Sequence, residues 1–178
     1  NSPPIASVLN MIECAPKGGD TMWVNLQLVF ETLSAPMQAM LEGLTALHTQ
    51  KGAPPVKPAE HSVVRVHPTS GRKSLYVNRI FTDRIVQLSP SESKAMLEYL
   101  FRFAEQPQFS CRYRWSPGDL GIWDNRATLH AAVSDYIGGH RVIQRVTVLG
   151  DNPIASSPCP WPAHKVTGQR ASDFFDVL

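Results

Sequence analysis

The sequence predicts a mainly β fold with flanking helices, built as a sandwich or barrel rather than as a parallel α/β sheet. Three observations carry this expectation. Short runs of strand-forming residues recur along the chain, clusters of proline, glycine and small polar residues separate them, and few segments show the spacing of an amphipathic helix.

Ile5 to Cys14 is apolar and runs into the turn-forming cluster Pro16-Lys17-Gly18-Gly19-Asp20, after which a second strand is expected at Thr21 to Val24. Asn25 is placed to cap a helix carrying Leu26, Leu28, Val29 and Phe30. The spacing of Met37, Met40, Leu41 and Leu44 predicts another helix over Pro36 to Leu47. Residues 50–60, with three prolines and no periodicity, read as a loop. Val63 to Val66 and Ser74 to Val77 form a hairpin across Pro68-Thr69-Ser70-Gly71.

Ser89-Pro90-Ser91-Glu92 is a capping box with proline at the first helical position, and Leu97, Leu100, Phe101 and Ala104 mark the buried stripe that follows. Phe109 to Trp115 alternates as a half-buried strand, with Phe109, Cys111, Tyr113 and Trp115 inward. Further strands are expected at Leu120 to Trp123 and Arg141 to Leu149, joined by a loop that holds Asp124-Asn125-Arg126 and His130. Residues 151–178 read as an irregular tail with a weak terminal helix.

At 178 residues, 43% hydrophobic and 18% charged, the chain is expected to form a single domain over residues 1–178 around one core. A net charge of +2 and the lack of a basic run with interleaved aromatics argue against a nucleic-acid partner. Cys14, Cys111 and Cys159 are odd in number and scattered, as reduced cytoplasmic thiols would be. No apolar run approaches the roughly 18 residues that cross a bilayer, so no membrane partner is expected. The chain opens on Asn1 rather than Met, which places the expected translation start upstream.

Taken as residues alone, the chemistry-bearing positions leave alternatives open. His130 is either a metal ligand or a capping histidine in a polar loop. Arg141 and Arg145, four apart in an expected strand, share a face roughly 13 Å apart at the backbone and either meet solvent or bind anions. Thr21 is either a strand threonine or a neutral donor, and Phe81 either core or pocket wall.

The phrase Gly121-Ile122-Trp123-Asp124-Asn125-Arg126-Ala127-Thr128-Leu129-His130, followed by Arg141 and Arg145, resembles the core motif of the taurine dioxygenase family. Gly18-Gly19-Asp20-Thr21-Met22-Trp23, His67-Pro68 through Asn78, and Phe81 to Val86 are similar to further family stretches, so that the likeness covers about Ser2 to Pro153. The resemblance implies a double-stranded β-helix, or jelly-roll, that uses Fe(II) and 2-oxoglutarate. It implies that His130 is the distal histidine of a two-histidine, one-carboxylate iron site. Arg141 would grip the distal carboxylate of 2-oxoglutarate with help from Thr21, and Arg145 would face the anionic group of the substrate beside Phe81. Trp23 and Trp123 would pack near the iron. Ala131 departs from the bulky aromatic that often follows the histidine, which implies a larger pocket.

In the family the other two ligands form an HxD motif, which the resemblance places before Asn1. None of His48, His61, His67, His130, His140 or His164 is followed two residues later by Asp or Glu. The segment between His48 and His61 is also shorter than the lid of typical relatives. The N-terminal part of the jelly-roll is therefore expected to be absent from these residues, and the intact protein to be longer.

The implied reaction is hydroxylation by molecular oxygen of a small anionic organic substrate, an alkyl sulfonate resembling taurine or a sulfate ester, with release of succinate and CO2. The alternatives are a phenoxyalkanoate or other carboxylate oxygenase of the same family, or a jelly-roll that binds a small dicarboxylate without turnover. Homo-oligomerisation is compatible with either.

Overall fold

A computed structural model describes residues 2–49, 58–136, 139–150 and 152–164. The expected terminal helix and most of the expected 50–60 loop lie outside these residues.

The first strand, β1 (Ala6–Glu13), is the centre of a three-stranded antiparallel sheet, flanked by β9 (Leu120–Asp124) and β11 (Val142–Val148). A second sheet centres on β2 (Thr21–Asn25), between β8 (Ser110–Tyr113) and β10 (Thr128–Ala132). On the far side of the helices, β3 (Thr45–His48) lies between β4 (Ala59–Ser62) and β7 (Thr82–Ile85). The hairpin of β5 (Val64–Val66) and β6 (Lys73–Leu75) takes β12 (Ile154–Ala155) on its open edge.

Helix α1 (Leu26–Thr32) starts where expected, because the Asn25 side chain accepts from the backbone N–H groups of Gln27 and Leu28. Helix α3 (Pro90–Ala104) carries the reciprocal capping box of Ser89 and Glu92 and buries Leu97, Leu100 and Ala104, while Phe101 is only partly buried. Helix α2 (Ala35–Glu42) is shorter than the sequence spacing suggests. Gly43 caps it, and Thr45 to Leu47, read in the sequence as the end of this helix, instead join His48 in a strand that pairs on both sides. A short run of β-competent residues follows the helical period too closely for periodicity to separate them. Similarly, Ala59 and Glu60, the end of the expected loop, belong to the strand Ala59–Ser62, made so by pairing with β3.

Four other expectations change. The segment before β8 opens with a single 3-10 turn at Pro107–Phe109, and Cys111 and Tyr113 are exposed, so only Phe109 and Trp115 of the expected inward face are buried. His130 lies within β10 rather than in a loop. Arg141 precedes β11 instead of starting it. The tail is irregular but tied down: besides β12, Ser157 Oγ donates to the Glu42 carbonyl and His164 N to that of Val86.

Two apolar clusters replace the single expected core. The larger packs α1, α2 and α3 against β3, β5, β6 and β7 through residues such as Val29, Phe30, Leu41, Val63, Ile85 and Leu100. The smaller lies between the first two sheets and comprises Leu9, Met11, Trp115 and Trp123, with Trp23 packed against it. Among the described residues no helix is long and apolar enough to cross a membrane.

Candidate active site

The site is built where the first two sheets face each other. In antiparallel strands, residues directly opposite point to the same side. His130 stands opposite Trp23, and Ala132 opposite Thr21, so Thr21, Trp23, His130 and Ala132 share one face of the β8–β2–β10 sheet. Across the gap, Arg145, Leu9 and Gly121 form one row of the other sheet. Leu9 is buried and Gly121 lies against the Trp115 ring, so this row faces the tryptophan cluster.

The turn before Thr21 is fixed by charge and by glycine. Gly18 and Gly19 have φ of 75° and 73°, a left-handed conformation that residues with a Cβ rarely adopt, and a side chain on Gly18 would run into Asp135. Asp135 Oδ1 accepts from the Gly19 N–H at 2.8 Å. Arg112 then bridges Asp135 Oδ2 at 2.8 Å and Asp20 Oδ2 at 2.6 Å. The Gly19 N–H, followed by Arg112, holds the Asp135 carboxyl below its ordinary range. Onto this turn Arg141 packs its side chain, and its Nε donates to the Gly19 carbonyl at 3.1 Å.

Thr21 is only 2% exposed, and its hydroxyl accepts from the Trp115 indole at 2.8 Å. The His130 ring lies 4.8 Å from that of Trp123, whose indole is tied to Asn125 and through it to the buried Ser7 hydroxyl. Burial, and after it the positive charge of Arg145, lower the His130 pKa. Both effects favour the neutral imidazole, the form that ligates metals.

The structure thus brings Thr21, Arg141, His130 and Arg145 to one region. It does not do so for Phe81, which is 44% exposed at the head of β7 and tied by backbone bonds to Asn78 and Thr49. Among the described residues, no hydrogen bond or ring contact joins it to His130 or to either arginine.

Sequence reading did not single out Arg112, Asp135 or the chemistry of Trp115. His67, named in the sequence only within a family-like stretch, has a specific structural partner. His67 Nδ1 accepts from the Ser70 N–H, which leaves Nε2 to donate to Asp124 at 2.9 Å. Arg126 forks onto the same carboxylate. Burial pulls the Asp124 carboxyl upward, but the bonds from Arg126 and His67 outweigh it and bring the pKa to about 2. This network locks the turn between β9 and β10 that delivers His130.

Residues 1–147 match the model of the taurine catabolism dioxygenase TauD, TfdA family. The chain belongs to that family. A relative from Pseudomonas putida, an alpha-ketoglutarate-dependent sulfate ester dioxygenase, is 34% identical over 172 residues, covering 85% of this chain and 57% of its own. Among solved structures, a taurine dioxygenase from Burkholderia xenovorans superposes with a TM-score of 0.83 at 43% identity, covering 87% of this chain and 57% of its own. AAD-2, solved in complex with Mn(II) and N-oxalylglycine, superposes with a TM-score of 0.79 at 29% identity, covering 85% and 66%. The fold is therefore the TauD-family jelly-roll, and the chain spans about half the length of the curated relatives it matches.

TauD-family membership implies an iron centre and a 2-oxo acid, and the residues present fit the two unequally. Among the described residues no group of three His, Cys, Asp or Glu side chains could hold a metal ion. His130 offers one imidazole, so these residues do not by themselves form an iron site. For a carboxylate the fit is good. Arg141 spends its Nε on Gly19, leaving the terminal N–H groups of a planar cation, and Thr21 adds a buried hydroxyl from the strand that follows the same turn.

Proposed function

We propose that the protein is an Fe(II)- and 2-oxoglutarate-dependent dioxygenase that hydroxylates a small organic acid, an alkyl sulfonate or sulfate ester, with release of succinate and CO2. This chain supplies the end of the site that binds the distal carboxylate of 2-oxoglutarate. The observation that carries the reading is Arg141 anchored on the Gly19 carbonyl, beside Thr21 on the sheet face that also presents His130.

In this reading Arg141 and Thr21 hold the cosubstrate, and His130 is one metal ligand. Arg145, on the opposing sheet and felt electrostatically at His130, attracts the acidic group of the substrate. The sulfate ester and taurine dioxygenase names of the relatives support a sulfur oxyacid, and the free thiols of Cys14, Cys111 and Cys159 suit the cytoplasm.

The experiment is oxygen-dependent turnover of 2-oxoglutarate by the protein with and without ferrous iron. Sulfonates, sulfate esters, carboxylates and a neutral analogue serve as substrates. Succinate appearing only with iron, together with sulfite or sulfate from the sulfur substrates, is the expected result. Binding of 2-oxoglutarate with no succinate formed under any condition would instead make the protein a silent dicarboxylate binder.

A further inference from the structure

We infer that Trp115 is a positioning residue for the cosubstrate carboxylate: acting through Thr21, its indole N–H sets the direction in which the threonine hydroxyl donates. The inference rests on the reading of Thr21 and Arg141 given above and extends it to the residue that donates to the Thr21 hydroxyl.

A threonine hydroxyl has one proton and two lone pairs, and its proton turns to whatever acceptor is nearest. An indole N–H can only donate. At 2.8 Å it claims a lone pair of Thr21 Oγ1, so the hydroxyl proton must point elsewhere. Both residues are buried, which leaves little water to compete for that proton. The hydroxyl proton is thereby left for another acceptor, such as a carboxylate oxygen.

The indole is itself held rigidly. The Tyr113 ring meets it edge-on at 5.1 Å, and Trp23 lies 6.0 Å away on the shared face. Gly121 passes so close that an added Cβ would stand 2.5 Å from Cη2 of the ring. A donor caged in this way arrives already oriented, which removes the ordering cost that ligand binding would otherwise bear. A phenylalanine would keep an aromatic ring at this position but leave the Thr21 hydroxyl free to rotate.

The test is calorimetric titration of 2-oxoglutarate, under nitrogen with ferrous iron, into the wild-type protein, Trp115→Phe, Thr21→Val and the double variant. A parallel titration uses 2-oxobutyrate, which lacks the distal carboxylate. Trp115→Phe is expected to weaken 2-oxoglutarate binding about three- to tenfold, the loss of roughly one hydrogen bond. It should leave 2-oxobutyrate binding unchanged, and the double variant should bind no more weakly than Thr21→Val alone. Gly121→Ala, which displaces the ring without altering either partner, should repeat the pattern.

Melting temperatures of each variant keep loss of fold from being mistaken for loss of the contact. Wild-type affinity in Trp115→Phe, or losses at the two positions that add in full, would overturn the inference while the carboxylate site stands. A wild-type protein that takes up no 2-oxoglutarate would overturn the site and the inference together.

Discussion

Arg141 donates through Nε to the carbonyl of Gly19, 3.1 Å away. One side chain therefore ties down the turn that leads into Thr21 and still offers its terminal N–H groups to an anion. Replacing it with alanine should weaken 2-oxoglutarate binding about ten- to a hundredfold, the loss of a charge-assisted contact of roughly 1.5–3 kcal/mol. Lysine should restore only part of this, because a single ammonium cannot hold Gly19 and fork onto a carboxylate at once. Separate titrations with cosubstrate and substrate check it; equal losses for both would contradict the assignment.

The turn itself makes a stability prediction with an internal control. Gly18→Ala forces a side chain both into a left-handed backbone and against the Asp135 carboxylate, whereas Gly71, with φ of 70°, has nothing within 4 Å of an added Cβ. Gly71→Ala should cost only the backbone term, about 1–2 kcal/mol. Gly18→Ala should cost more. Thermal melts of the two variants side by side decide this, and equal losses would mean that Asp135 can move away freely.

A pH dependence follows from His48. Burial, then repulsion from His61, lower its pKa from 6.5 to about 4, and the two rings lie 5.5 Å apart beside Tyr76 and Arg65. The unfolded chain binds the proton more readily than the folded one. This contribution to stability is therefore complete above pH 6.5 and is lost as pH falls towards 4, on the order of 3 kcal/mol over the window. His61 is shifted in the same direction and adds to the effect. Urea denaturation at pH 7 and pH 5 should show a smaller loss for His48→Gln than for the wild type.

Arg145→Ala should reduce kcat/KM for a sulfonate or sulfate ester about ten- to a hundredfold while leaving the KM for 2-oxoglutarate nearly unchanged. Succinate and sulfite or sulfate release across the substrate panel provide the readout. A variant that keeps its preference for acids would remove this arginine from the substrate side of the site.

What could be read from the sequence divides along physical lines. Helix caps were legible because Asn25 and Ser89 act within a few residues of their own backbone, and the hairpin of β5 and β6 because its turn chemistry is local. The strands β3 and β4 were not, since β3 is held by partners on both sides and β4 by β3, and this pairing overrides their weak patterns. His130 was identifiable through its motif, but its place in a strand depends on pairing with β2, a hundred residues earlier. Thr21 and Arg141 could be named, whereas the Arg112 bridge between Asp20 and Asp135 exists only once the chain has folded.

The tryptophan arrangement gives the protein an optical reporter of its own. Trp23, Trp115 and Trp123 form one contact chain that ends on the His130 ring, while the fourth, Trp161, lies half-exposed on the tail. Excitation absorbed anywhere in the chain can migrate between adjacent rings, so a quencher arriving at His130 should dim all three emitters together. With Trp161→Phe removing the remote contribution, the intrinsic emission of the protein would register occupancy of the site directly, without a label and without turnover.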